Sequence, residues 1–507
     1  MKNVFKLLGI IALIAVIGFS MAACGGGGDD DGPGGGKTVT SIVIIGSPTK
    51  TTYVVGDRLD TSGLVVKAYY SDGTNQDVTG YTTNFDSSTA GTKTVTVSYG
   101  GKTASFTVTV NAVSGNTGSG ISGDFRYYAY ASTVFITGYQ GDGGAVTIPA
   151  QIDGRPVTVI DQGAFNNCID IVSITIPSSV TRIESMAFSG TGLTSVTIPD
   201  SVTSIGSMAF YKCASLTSVT IPNSVKTIGR MTFSGCTNLT GVTIPSSVTS
   251  IEMSAFSKCT NLTSITIPNS VTSIEDYAFS ECTSLTGVTI PSSVTSIGAS
   301  AFYGCTRLTG IIIPNLVTSI GNSAFYGCTG LASVTISNGV ISIGNDAFSD
   351  CISLVNVTIP NSVTNIGFGI FSGCTSLTAI TVTTANSAYS SIDGVLYNRS
   401  KTTLIQYPGG KTGAFTIPNS VTYIRQSAFS DCSNLTSVTI PSSVTRIGEY
   451  VFRGCTNLTS ITFEGSISLN TDFYKSFEGD LLSRYSSGGI GTYTTTAPVG
   501  DNSRWTK

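Results

Sequence analysis

From about Asp124 onward, apolar and polar positions recur along the chain with a period of 23 residues. Phe165, Phe188, Phe210, Phe233, Phe256, Phe279, Phe302, Phe325, Phe348, Phe371, Phe429 and Phe452 mark twelve copies, with one spacing of 22 at Phe188 to Phe210. Cys213, Cys236, Cys259, Cys282, Cys305, Cys328, Cys351 and Cys374 follow the same period. In one copy Leu239, Val242 and Ile244 fall at i, i+3 and i+5, and Pro245, Val248, Ile251, Ala255, Phe256 and Cys259 follow. The first three residues belong to a short strand whose Gly241 and Thr243 face the other way. A single copy has too few apolar side chains to offset the entropy of ordering its backbone, so each coil must borrow its core from its neighbours. The predicted fold is therefore mainly β, a solenoid of about 13 coils with parallel strands, on the order of 60 Å long at ~4.8 Å per coil.

Upstream, the pattern changes to alternating strands at 41–45, 64–70, 94–99 and 103–110. Ser71-Asp72-Gly73 closes one connection, and Gly100-Gly101 joins two alternating runs as a two-residue hairpin, where glycine supplies the positive φ of a primed turn. Val95, Val97 and Tyr99 then share a face, as do Phe106, Val108 and Val110. This spacing predicts a small antiparallel sandwich over 37–112. Tyr53 to Asp57, Leu64-Val65-Val66, Tyr70-Ser71-Asp72-Gly73 and Ala90-Gly91-Thr92-Lys93 resemble a bacterial immunoglobulin-like domain. No cysteine lies in the segment, so the sheets must hold by packing alone. The resemblance implies a spacer.

Residues 1–23 carry Lys2 and Lys6, then the apolar run Leu7 to Phe19, then Met21-Ala22-Ala23 before Cys24, the three-part grammar of an export signal. The run is too short for a stable membrane span. Ala22 and Ala23 directly before Cys24 resemble a bacterial lipobox, with Met21 where that motif more often has Leu. The resemblance implies that Cys24 is lipidated and becomes the new N-terminus, and Gly25 after it is compatible with an outer-membrane destination. After Cys24, the rest of 24–36 is Gly and Asp with one Pro, a tether with nothing to bury. Gly36-Lys37-Thr38 is no phosphate loop, because Asp31 stands in place of the first glycine and no buried strand precedes it.

The motif Ala-Phe-x-x-Cys-x-x-Leu-x-x-Val-x-Ile-Pro, at Ala255 to Pro268 and Ala278 to Pro291, resembles the BspA-like leucine-rich repeat family. Ser391 to Asn398 with Leu404 to Pro408 resembles that family's longer variant repeat, which explains why Cys374 and Cys432 are 58 apart. The resemblance covers roughly 124–507. It implies a surface protein that binds proteins, including host extracellular matrix or other microbial surfaces. The expected layout is a signal peptide at 1–23, a tether at 24–36, an Ig-like domain at 37–112 and a linker at 113–122. The solenoid with its N-terminal cap then spans 123–462, and a C-terminal cap spans 463–507.

Composition narrows the function. Histidine is absent, which removes the usual general base, the commonest metal ligand and every imidazole triad. No carboxylate pair sits in a catalytic motif, so no enzyme, cofactor or metal is expected. Only 11% of residues are charged and the net charge is -3, which argues against nucleic acid. The one-per-coil cysteines read as a buried thiol ladder, since paired metal-ligand spacings are absent. Regular positions are committed to packing, so recognition is expected where copies differ. Tyr211, Tyr303 and Tyr326 follow the repeat Phe, while Arg307, Ile312 and Leu316 replace smaller polar residues. Aromatic and arginine side chains are frequent interface anchors. Two alternatives stay open: a structural envelope protein without a dedicated ligand, and a glycan-binding surface protein.

Overall fold

A computed structural model describes residues 37–54, 57–87, 89–111, 117–467 and 475–507. The leader, Cys24 and the tether lie outside the described residues. The chain forms two compact units, 1–113 and 114–507.

The first unit contains β1 (Val39–Gly46), β2 (Thr52–Val54), β3 (Val65–Tyr70), β4 (Asn75–Val78), β5 (Thr82–Asn84), β6 (Gly91–Tyr99) and β7 (Lys102–Asn111). One sheet has the order β1-β3-β4 and the other β2-β7-β6-β5. The β6–β7 hairpin turns through Gly100 and Gly101 at φ 55° and 74°, and Val95, Val97, Val108 and Val110 are buried as the alternation predicts. The sandwich departs from a wholly antiparallel one at β2, which runs parallel to β7. β2 is three residues long, too short to show a period, and it is anchored by the buried Tyr53 ring 5.0 Å from Phe85.

The second unit is a β-solenoid of about 14 turns. Each regular coil holds two short strands where the sequence pattern predicts one. In one coil they are Gly241–Thr243 and Ser250–Ile251, paired in parallel with Ser264–Thr266 and Ser273–Ile274 of the next. A two-residue strand is below the length at which alternation can be read. The third side also hydrogen-bonds between coils, with the Phe256 and Phe279 amides donating to Ala278 and Ala301 carbonyls at 2.8 Å.

Side chains repeat this stacking. The phenylalanines from Phe165 to Phe371 form one column with ring centroids 5.2–5.8 Å apart and interplanar angles of 22° or less. From Cys213 to Cys374 each cysteine thiol donates to the phenylalanine carbonyl of the preceding coil, as Cys259 to Phe233 and Cys282 to Phe256, both at 3.2 Å. The eleven cysteines of the array are free thiols, ten of them buried and Cys168 partly exposed. Burial pushes the Cys259 and Cys305 thiols up to about 12. Thr240, Thr263, Thr286 and Thr309 hydroxyls each donate to the backbone of the coil before at 3.2–3.3 Å. Ser247, Ser270 and Ser293 do the same at the corner after the first strand, at 2.6 Å.

Both ends of the array are covered. Gly118–Ser122, placed in the linker by its Gly/Ser composition, is instead a strand paired with Phe125–Ala129. It earns its place by backbone bonds, which composition does not reveal. Phe125 and Tyr139 pack on Phe165. At the other end Phe477 stacks on Phe452 at 5.2 Å, and the strand Gly491–Thr494 closes antiparallel on Ser460–Phe463. Leu481 and Tyr485 from the helix Leu481–Gly488, together with Trp505, are buried over this end. The longer repeat adds three antiparallel strands, Tyr389–Ile392, Val395–Asn398 and Thr403–Gln406, and the buried core divides there. Arg425 bridges the two sides, donating to the Ile366 carbonyl at 2.7 Å with its guanidinium 4.6 Å from the Phe368 ring.

Alkylation requires the reagent to reach the sulfur, so burial slows the reaction. Brief alkylation of the native protein followed by peptide mass spectrometry is expected to label Cys168 at least tenfold faster than any of the ten buried thiols. In denaturant the eleven should react alike.

Candidate functional site

The side of the solenoid formed by the first strand of each coil has no charge. None of the nine strands from Ser195–Thr197 to Ala379–Val382 contains Asp, Glu, Lys or Arg. Valine or isoleucine points inward, and Thr220, Thr243, Thr266 and Thr289 form an exposed outward column. Ile312 interrupts this column, in register with Thr335 of the next coil, and is 67% exposed. The continuous five-stranded ladder from Ser195 to Thr289 ends at this coil. A shallow depression of about 470 Å³ marks the break, lined by Val288, Thr289, Ile290, Ile311, Ile312 and Thr335 among others.

The neighbouring corner changes in the same coil. Leu316 occupies the position of Ser293, whose hydroxyl bonds the Val271 carbonyl, and it is 57% exposed. One coil later the position is Gly339, and the serine bridge returns with Ser362, which donates to Val340 at 2.7 Å. Ile341 stands where Thr318 and Thr364 stand in the adjacent coils and is exposed. Three hydroxyl columns thus give way to aliphatic side chains within two adjacent coils. Ile341 is absent from the sequence-based candidates. It becomes visible only when each column is read down the array rather than each copy along the chain.

The six predicted residues do not converge on one site. Ile312 and Leu316 share a coil, on the strand face and at its corner. Tyr303 and Tyr326 are a separate pair on the turn side, with rings stacked at 5.1 Å and 5°. A hydrogen bond to the Asp350 carboxylate holds the Tyr326 phenol well above its usual value. Arg307 is exposed in the turn before the Gly310–Ile313 strand. Tyr211 is remote from all of these, separated from Tyr303 by the coils of Phe233, Phe256 and Phe279, and lies beneath the Lys212 ammonium at 5.2 Å.

Charge is concentrated instead after the second strand of the coils, where Glu252 and Glu275 stand in consecutive turns. The next four coils have glycine at this position; a Cβ at Gly298 would come within 2.5 Å of the Asp276 backbone nitrogen. Desolvation raises both glutamates, and Glu275 is raised further by Glu252 and Asp276. A folded-state pKa above the unfolded value means that the stabilising protonated form is present at low pH and lost as pH rises through the folded value. Glu275→Gln is therefore expected to raise Tm by ~1–2 °C at about pH 8 and to leave it unchanged at about pH 3.5, as calorimetry at the two pH values would show.

The BspA type leucine rich repeat region matches in six copies, over 158–286, 203–332, 249–378, 295–412 and 407–480. A bacterial Ig-like domain (group 3) matches residues 47–110. The chain is 48% identical over 83 residues to an exo-beta-1,6-galactobiohydrolase of Bifidobacterium longum subsp. longum, a match covering 15% of this chain and 5% of that protein. It is 45% identical over 76 residues to pectate lyase L of Thermoclostridium stercorarium, covering 14% of this chain and 6% of the lyase. The chain thus spans about one-twentieth of the length of the curated relatives it matches. Among solved structures it is similar to a leucine rich cell surface protein from Faecalibacterium prausnitzii, at 31% identity over 69% of this chain and 77% of that one, with a TM-score of 0.36. A leucine-rich repeat protein from Bacteroides ovatus is 27% identical over 69% of this chain and 93% of that one, with a TM-score of 0.45.

Proposed function

The chain belongs to the BspA-type leucine-rich repeat family, and from that premise we propose that it is a bacterial cell-surface protein whose solenoid binds other proteins. The observation that carries this reading is the coincidence of Ile312, Leu316 and Ile341, exposed aliphatic side chains in three columns that are mostly hydroxyls. Exposed apolar groups gathered in one place mark contact surfaces on soluble proteins. Because the surrounding strand face is uncharged, the contact draws its energy from apolar burial, and salt has little effect on it. Tyr303, Arg307 and Tyr326 are further anchors on the turn side of the same region.

Surface display accords with the Faecalibacterium relative, a leucine rich cell surface protein. In this reading Cys24 bears the lipid that anchors the chain in the envelope, the outer membrane being the proposed destination, and the Ig-like unit is a spacer. The partners are proteins of the host matrix or of other microbial surfaces. The molecule is a binding protein and not an enzyme, needs no cofactor or metal, and does not engage nucleic acid.

The test is binding of residues 37–507 to immobilised matrix proteins, serum proteins, microbial surface proteins and neutral glycans. The double variant Ile312→Thr and Leu316→Ser restores the residues of neighbouring coils and so should fold unchanged. Saturable binding to a protein is expected to weaken at least tenfold in the variant, corresponding to about 1.4 kcal/mol. Equal binding by parent and variant, or binding to glycans alone, overturns the reading.

A further inference from the structure

A second surface lies in the N-terminal coils. The sequence has six methionines; Met1 and Met21 belong to the leader, and the other four, Met186, Met208, Met231 and Met253, occur in four consecutive coils. Met186, Met208 and Met231 form a single column. Their amides donate to Ser207, Arg230 and Met253 carbonyls of the following coils at 2.9–3.1 Å. All three have left-handed backbones, at φ 58°, 60° and 54°. That conformation is uncommon for any residue but glycine, and the same column elsewhere has Ser254, Tyr277, Ser300, Ser323, Asp346, Ser427 and Tyr450. Packing does not demand methionine either, since Met186 is exposed and Met208 and Met231 are only half-buried. Long apolar side chains held against local preference, with part of their surface in water, are the kind of local conflict found at functional sites.

The chemistry of the column specifies what it would hold. Thioether chains are unbranched and polarisable, and they adapt to apolar partners of irregular shape. The column is flanked by cations. Arg230 directly precedes Met231, and Lys212 lies in the turn that Met208 opens through the bond from the Tyr211 amide to its carbonyl. Both are exposed, and among the described residues neither Lys212 nor Arg230 is in an ion pair. The nearby Glu252 carboxylate accepts from the Arg230 amide at 3.0 Å.

We infer that Met186, Met208 and Met231 form a docking surface for an acidic amphipathic segment of a protein partner, its apolar face on the thioethers and its carboxylates towards Lys212 and Arg230. This surface is independent of the one around Ile312. The probe is a synthetic helix of about 18 residues with Leu on one face and Glu on the other, titrated by fluorescence anisotropy into the full-length chain. Expected are saturable binding weakened by added salt, at least tenfold weaker binding by Met208→Ser/Met231→Ser, and at least threefold weaker binding by Arg230→Gln. Serine is the residue that the array itself has in this column at Ser254, Ser300, Ser323 and Ser427, and an unchanged melting temperature verifies the fold; Arg230→Gln tests the site without altering the column. Ile312→Thr/Leu316→Ser should bind the helix like the parent. No saturable binding, equal affinity in the methionine variant, or equal affinity for a helix with Lys in place of Glu overturns the proposal.

Discussion

The structure depends on the contact between equivalent residues of successive coils. A coil of 23 residues buries Phe, Leu, Val and Ile only because the same residues stand above and below it. Ring stacking at 5.2–5.8 Å sets the coil spacing on one side, and parallel two- and three-residue strand pairings set it on the others. These constraints reinforce one another. A side chain that bonds the coil before it, such as the Cys259 thiol or the Ser270 hydroxyl, satisfies a polar group and fixes the register in one contact. The ends must then be covered, which Phe125 and Tyr139 do at one and Phe477 and Trp505 at the other.

Much of this was legible in the sequence, because period and inward pattern are properties of residues met one after another. Phe165 to Phe452, the cysteine column and the hairpin at Gly100-Gly101 are placed as their spacing predicts. What escaped shows itself only across coils or through backbone bonding. The two-residue second strands have no period of their own. Gly118–Ser122 looks like linker because a strand held by backbone hydrogen bonds can have any small side chain. The roles of hydroxyls also divide in a way the sequence hides: Thr240 bonds the coil beneath it, while Thr243, three residues on, faces outward.

The candidate sites are the places where a column changes chemistry. Of the residues singled out by variation between copies, Ile312 and Leu316 belong to one aliphatic patch, Tyr303 and Tyr326 to one ring stack, and Tyr211 to the turn of the methionine column. Variation alone could not sort them, since it does not say which side of the coil a residue occupies. The uncharged strand face and the cation-flanked methionine column are also physically unlike. One is suited to a neutral apolar contact indifferent to salt, the other to an acidic partner sensitive to it. A long solenoid can offer both because its stability is local, so distant columns vary without disturbing each other.

The most direct test of coil-to-coil stacking as the source of the fold is thermal unfolding after deletion of one period, residues 256–278, which joins Ala255 to Phe279. Stacking predicts a folded protein that unfolds cooperatively with a modestly lower Tm, because every remaining coil still meets an equivalent neighbour on both sides. Loss of the folded state would contradict it, and would mean that particular long-range contacts, not a repeated interface, hold the array together.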